Sequence, residues 1–267
     1  MSQISKRVVL LTGAASGIGR ATAMELARRG ARLLVVDLNP DGLESLKAEL
    51  PGPGEIIGEV VADLGTRAGV DAVIEAGKAV EGGVDILINN AGICVVAPVE
   101  QTTPDDIDKL IAVNLRAVMG VTQGLLPAML GRGGAHIVNI ASISGLAGVP
   151  GFVAYGTTKF AVVGYSEGLR NELSARGIRV TTVCPGVINT PLKQNLTLRG
   201  FDGAIREKIR GYPPEKVASQ IAKAILGDKS LISPAGNTLR MVQRLAPGLT
   251  RLVFKKLNRR MLAPVRK

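Results

Sequence analysis

The chain has 267 residues, 46% of them hydrophobic, which is enough for one α/β domain with a sizeable core. Its two cysteines, Cys94 and Cys184, lack metal-ligand spacing and its single histidine is His136, so metal chemistry and a serine–histidine triad are poorly supported. The formal charge of +11 is uneven: nine basic and no acidic residues from Leu231 to Lys267 leave only +2 for residues 1–230.

The first apolar run, Arg7–Leu11, leads into Thr12-Gly13-Ala14-Ala15-Ser16-Gly17-Ile18-Gly19 and then a helical stretch from Arg20 to Arg29. Glycines there permit a tight turn and close backbone approach to a pyrophosphate, while a helix start supplies free N–H groups. The spacing is GxxxGxG; by itself such a turn also arises for structural reasons alone. The next run, Arg32–Val36, ends at Asp37, eighteen residues beyond Gly19, where a carboxylate can accept hydrogen bonds from ribose hydroxyls and repel a 2′-phosphate. This favours NAD over NADP. Further runs at Ile56–Val61, Asp85–Ile88, His136–Ala141, Ile178–Val183 and Leu231–Ser233 alternate with helical patterns. Such alternation predicts βαβ units in a Rossmann-type, doubly wound parallel sheet of about seven strands. Thr103-Pro104-Asp105-Asp106 is a helix start with a capping threonine and early acids, and Pro213-Pro214-Glu215 introduces Lys216–Leu226. The uncharged run from Gly133 to Thr158 raises the question of a membrane span, but its Asn139, Pro150 and glycines fit a strand, a loop and a helix start better. No signal peptide precedes the first strand, so a cytoplasmic protein is expected. His136 reads as structural and the cysteines as buried thiols of a reducing compartment, with Cys94 also placed to line a cleft.

Tyr155 and Lys159 stand four residues apart, on one face of a helix, with Ser142 thirteen residues upstream. A phenol titrates at about pH 10, and a neighbouring ammonium favours its ionised form. A serine hydroxyl can hold the reacting oxygen while the tyrosine takes its proton, which suits an alcohol losing hydride from the same carbon.

Together these residues resemble the short-chain dehydrogenase/reductase family, from about Lys6 to about Ser233. The resemblance makes Gly13, Ser16, Gly17, Ile18 and Gly19 the cofactor loop, and Asp63-Leu64 the adenine-contacting pair. It makes Asn89-Asn90-Ala91-Gly92 the motif after the fourth strand, with Asn90, Ala91 and Gly92 at the cofactor, and Pro185, Gly186 and Thr190 the nicotinamide-side loop. It also implies a catalytic tetrad of Asn114, Ser142, Tyr155 and Lys159. Tyr155 would be the acid/base, with Lys159 lowering its pKa and binding the nicotinamide ribose; Ser142 would hold the substrate oxygen and Asn114 a proton-relaying water. Members that prefer NADP carry a basic residue where this chain has Ser16 or Leu38, which again points to NAD. The resemblance further implies a homo-oligomer, dimer or tetramer, built through helices at Asp105–Leu130 and Ala154–Arg176.

Cys94–Val99 and Ile143–Phe152 are almost free of charge and Leu192–Gly211 resembles a movable lid, so a hydrophobic secondary alcohol or ketone of steroid, terpenoid, retinoid-like or fatty type is expected. The domain is expected to span residues 1–235, with residues 236–267 as a basic extension. There a helical pattern, broken near Pro247-Gly248, places Leu249, Leu252, Val253, Leu257 and Met261 on one face and basic residues on the other. That face either packs on its own domain or a sister subunit, or meets a membrane surface; nucleic acid is disfavoured, because Phe254 is the tail's lone aromatic residue. The rival readings are an NADPH-dependent ketoreductase of lipid synthesis, a nucleotide-sensing protein without turnover, and a membrane-peripheral scaffold.

Overall fold

Strand β1 (Val8–Thr12) is buried along its whole length, as a central strand covered on both faces must be. It begins one residue later than expected because the Arg7 N–H is taken by the Ile4 carbonyl in a turn. The computed structural model describes residues 4–194, 197–200 and 211–261. After β1 come α1 (Gly17–Arg28), β2 (Arg32–Asp37), α2 (Pro40–Ala48), β3 (Glu55–Val61), α3 (Arg67–Ala79) and β4 (Ile86–Asn89). The short β5 (Val95–Val96) precedes α4 (Pro104–Ile111), a π-type turn over Ala112–Arg116, and α5 (Ala117–Met129). Then follow β6 (His136–Ile140), α6 (Val153–Leu173), β7 (Arg179–Val183), α7 (Pro191–Gln194), β8 (Thr197–Leu198), α8 (Pro214–Leu226) and β9 (Leu231–Ile232). Two helices end the described chain, α9 (Asn237–Leu245) and α10 (Pro247–Met261).

All seven expected strands join one parallel sheet in the order β3-β2-β1-β4-β6-β7-β9. Alternate side chains of each strand feed two cores. Val9 and Leu11 of β1 and Leu33 and Val35 of β2 pack with Leu26 of α1 and Ile221 of α8. Leu10, Leu34 and Leu87 face the other way, onto Val73 of α3 and Leu125 of α5. The chain reverses its winding between β1 and β4, which opens a crevice at the carboxyl ends of these strands.

The run Gly133–Thr158 resolves into β6, a 3₁₀ turn at Ile143–Gly145 and the start of α6, as expected. Pro104–Met129 is long and apolar enough, by length and composition, to cross a bilayer. Here its Val121, Leu125 and Met129 pack in the second core instead. Not foreseen from the sequence is the small parallel sheet of β5 and β8, with Val95 opposite Thr197 and Val96 opposite Leu198. It fastens part of the expected lid beside the crevice. Lid residues Leu196, Phe201 and Ile205 lie outside the described residues.

Candidate active site

The crevice opens into a cavity of about 600 Å³ that the glycine turn, the ends of β2, β4, β6 and β7, and the start of α6 all line. The turn's geometry needs its glycines. Gly13 has φ +68°, and a Cβ there would stand 2.8 Å from Asn90 Nδ2, while one on Gly19 would overlap the Gly13 carbonyl oxygen. Asn90 Nδ2 donates to the Thr12 and Gly13 carbonyls at 2.9 and 3.0 Å, and the N–H groups of Asn90 and Ala91 donate to Thr12 Oγ1 at 3.0 and 3.1 Å. Thr12 and Asn90 therefore lock the end of β4 to the glycine turn. The Ala15 N–H donates to Asp37 Oδ2 at 2.9 Å and the Asn39 N–H to Oδ1 at 3.0 Å, which fixes the carboxylate at the end of β2. Ser16 stands at the N-cap position of α1 without a side-chain capping bond, leaving the helix's first N–H groups open toward the cleft beside Thr190; a Cβ on Gly17 would lie 2.9 Å from the Thr190 methyl.

Asp63, Leu64, Gly92, Pro185 and Gly186 also line this cavity, so every residue expected to bind cofactor except Gly19 borders it, and Gly19 is buried beneath the turn. The donors and contours present fit a dinucleotide. Free helix N–H groups face the position of a pyrophosphate, carboxylates at Asp37 and Asp63 stand at one end, and Lys159 is the cavity's sole cation among the described residues.

At the other end Ser142, Tyr155 and Lys159 line the cavity, while Asn114, the fourth expected catalytic residue, is buried behind Gly92 and does not border it. Ser142 caps the 3₁₀ turn after β6, its Oγ accepting from the Ser144 N–H at 3.1 Å, and its hydroxyl stands close enough to Tyr155 to favour the ionised phenol. Tyr155 lies on the first turn of α6, edge-on to Phe152 with ring centroids 6.1 Å apart. Lys159 Nζ sits 5.8 Å from the tyrosine ring centroid and donates to the Ile140 carbonyl at 3.0 Å.

The charges differ from the sequence expectation. Lys159 was expected to draw the phenol below its ordinary value. Burial acts in the opposite direction and wins: it pushes Tyr155 well above the usual phenol range, with the Cys94 thiol adding to this and the nearby Ser142 hydroxyl opposing it. Burial also lowers Lys159 to about 8, against the raising influence of Cys94 and Cys184. The resting site thus holds a neutral phenol beside an ammonium that is still charged at neutral pH. Burial pushes the Cys94 thiol up to about 12, so this cavity-lining residue is an inert wall and not a nucleophile.

Asn114, fully buried on the π-type turn, forms a clamp. Its Oδ1 accepts from the Ile93 N–H at 2.9 Å, and its Nδ2 donates to the Ile93 carbonyl at 2.9 Å and to Thr158 Oγ1 at 3.2 Å. A second buried chain ties the sheet to α6: Asn89 Nδ2 donates to Asn139 Oδ1 at 2.8 Å, and Asn139 Nδ2 donates to Ser166 Oγ at 2.9 Å. His136 lies outside the cavity. Thr181 Oγ1 donates to the Lys229 carbonyl at 2.6 Å, so it accepts from His136 Nε2–H at 2.8 Å. Burial lowers the imidazole to about 3, with Arg179 and Arg7 adding to the effect, and the ring is neutral and structural.

Sequence reasoning missed Thr12 and Thr158 as buttresses, and missed Leu239 of α9 and Phe254 of α10 as cavity walls. The threonines sit inside quoted motifs and carry no separate signal. Leu239 and Phe254 reach the site only through the path of the tail, so residues 236–261 complete the cavity and are not a mere appendage.

A glycine turn, an acidic strand end and a tyrosine–lysine–serine cluster in one cleft of a parallel sheet define a nicotinamide-dependent oxidoreductase of alcohols and ketones. The chain belongs to the short chain dehydrogenase family, whose model matches residues 7–199. It is 38% identical over 226 residues to oxidoreductase UcpA of Escherichia coli K12, covering 84% of this chain and 82% of that protein. It is 33% identical over 258 residues to estradiol 17-beta-dehydrogenase 11 of Macaca fascicularis, covering 95% and 83%. Among solved structures it is similar to a short chain dehydrogenase/reductase from Burkholderia phymatum in complex with NAD (TM-score 0.83, 26% identity, 94% and 96% covered). A short-chain dehydrogenase from Sphingobium yanoikuyae in complex with NADPH is also similar (TM-score 0.80, 28% identity, 92% and 94% covered).

Proposed function

We propose that this protein is an NAD-dependent oxidoreductase that interconverts a hydrophobic secondary alcohol and its ketone. The observation that carries the reading is the polarity of the cavity: carboxylates at Asp37 and Asp63 at one end, and Ser142, Tyr155 and Lys159 together among apolar walls at the other. A 2′-phosphate would meet Asp37 and exposed Leu38 with no cation beside them in the cavity lining, which disfavours NADP by Coulomb repulsion and uncompensated desolvation. A bound nicotinamide supplies the hydride acceptor or donor.

This chain's residues manage the proton and the pose. Tyr155 donates its phenolic proton to the carbonyl oxygen in reduction and takes the hydroxyl proton in oxidation. Ser142 holds that oxygen, and Lys159 supplies the positive charge that a transient phenolate needs in so buried a place. Lys159 would also hold the nicotinamide ribose, and Asn114 with the adjoining backbone would position the proton's exit. Val149, Phe152, Leu239 and Phe254 exclude water and select an apolar substrate of steroid, terpenoid, retinoid-like or fatty type. Exposed Ile107, Ile111, Met119 and Phe160 on α4 to α6 support assembly as a homo-oligomer, and the free thiols at Cys94 and Cys184 support a reducing, cytoplasmic setting.

The test is NADH formation by wild type and Tyr155→Phe over a panel of hydrophobic secondary alcohols, with NADP in parallel. Turnover with NAD that falls about 10²- to 10⁴-fold in the variant is the expected result. Equal turnover by the variant would remove Tyr155 from the chemistry, and a preference for NADP would favour the ketoreductase reading.

A further inference from the structure

The two C-terminal helices have an inner and an outer side, and the proposed chemistry uses only the inner one. Leu239 and Phe254 line the cavity, and Thr250 of α10 is buried. On the outside, Met241, Leu245, Leu249 and Leu252 are 59, 75, 52 and 65% exposed. This is the opposite of a stripe packed on its own domain, which the sequence left open for Leu249 and Leu252; the side chains of Val253, Leu257 and Met261 lie outside the described residues. Arg244, Arg251 and Lys255 are exposed beside these four apolar residues. No acidic residue occurs anywhere from Leu231 to Lys267, whereas residues 1–230 are nearly charge-balanced.

We infer that the outer face of α9 and α10 docks on an anionic lipid surface. Large apolar side chains held in register with arginine and lysine, with no carboxylate to repel phosphate headgroups, combine the two attractions an interfacial helix uses. A soluble acidic partner would need only the charge, and a subunit interface would have no use for the exposed Arg244, Arg251 and Lys255 without a countercharge. The arrangement also has a geometric consequence. The layer that meets lipid is one helix thick and its other side is the cavity wall, so an apolar substrate dissolved in a bilayer would reach the cleft without crossing much water.

The test is cosedimentation of the full chain with phosphatidylcholine vesicles, with and without phosphatidylglycerol as about a third of the lipid. Wild type is expected on the anionic vesicles, released by high salt, and weakly or not at all on phosphatidylcholine alone. The double variant Leu249→Glu/Leu252→Glu should bind at least tenfold more weakly, and Arg251→Gln/Lys255→Gln should lose most of the salt dependence. Circular dichroism and NAD-linked turnover on a water-soluble alcohol confirm that these variants fold. Tyr155→Phe should bind vesicles like wild type, so the docking can fail or stand independently of the proposed reaction. Any of three results overturns the inference: no wild-type binding to anionic vesicles; equal binding by the leucine variant, together with equal affinity for an RNA duplex, which would mark plain polyanion adhesion; or a change from oligomer to monomer in light scattering of the leucine variant, which would make this face a subunit interface.

Discussion

Replacing Asn114 with leucine keeps the shape of the side chain and removes its polar atoms, so the clamp on Ile93 can be tested with little added cavity. Three hydrogen bonds disappear, two of them to the Ile93 backbone at 2.9 Å and one to Thr158 Oγ1 at 3.2 Å. Thr158 keeps its bond to the Tyr155 carbonyl, 2.7 Å away, and loses little. The Ile93 N–H and carbonyl are left without partners, and a buried unsatisfied group costs about 1–3 kcal/mol. Ile93 is only half-buried, so water compensates in part and the lower end applies, giving about 2–3 kcal/mol in all. That corresponds to a roughly 30- to 150-fold shift in the folding equilibrium. Urea unfolding followed by circular dichroism should show a lower midpoint with an unchanged slope. Turnover should drop as well, because Ile93 leads directly into Cys94 on the cavity wall. A midpoint within about 0.5 kcal/mol of wild type would refute the clamp and leave Asn114 with a purely chemical role.

Two further outcomes follow from the same structure. His136 is neutral when folded, with a value near 3, but takes up a proton in the unfolded chain below about pH 6.5. Its contribution to stability is therefore complete above that pH and is lost as pH falls from there toward 3, by at most ~1.4 kcal/mol per pH unit. His136→Leu should flatten the stability profile of wild type in that window, measured by urea midpoints at neutral and mildly acidic pH; parallel profiles would contradict the assignment. Phe254→Ala should raise KM for bulky apolar substrates about tenfold with little change in kcat, since a half-buried ring gives up roughly 1.4 kcal/mol of contact. An unchanged KM across the substrate panel would take Phe254 out of the substrate wall.

The sheet was legible because its signals are local and redundant. Runs such as Arg32–Val36 are bounded by turn residues, and each of the seven became a strand of the main sheet within a residue or two. The nucleotide turn was legible because Gly13 and Gly19 stand where a Cβ would strike Asn90 or the turn's own carbonyl. The pairing of β5 with β8 was invisible, since two-residue strands are too short for any alternation to register. The balance of charge at Tyr155 was also misread. Proximity of Lys159 follows from helix spacing, but the depth at which Tyr155 lies depends on Phe152, Cys94, Leu110 and the small β5–β8 sheet packed around it, and burial decides the sign. Asn114 was expected for its chemistry, while its grip on Ile93 depends on a π-type turn that nothing in the local pattern announces.

The cavity draws its floor from residues 13–192 and part of its roof from Leu239 and Phe254, on helices that pack far more on each other than on any element of the sheet. Floor and roof are therefore built from separate parts of the chain. Substitutions at Leu239 and Phe254 would reshape what the cleft admits while leaving Ser142, Tyr155 and Lys159 untouched.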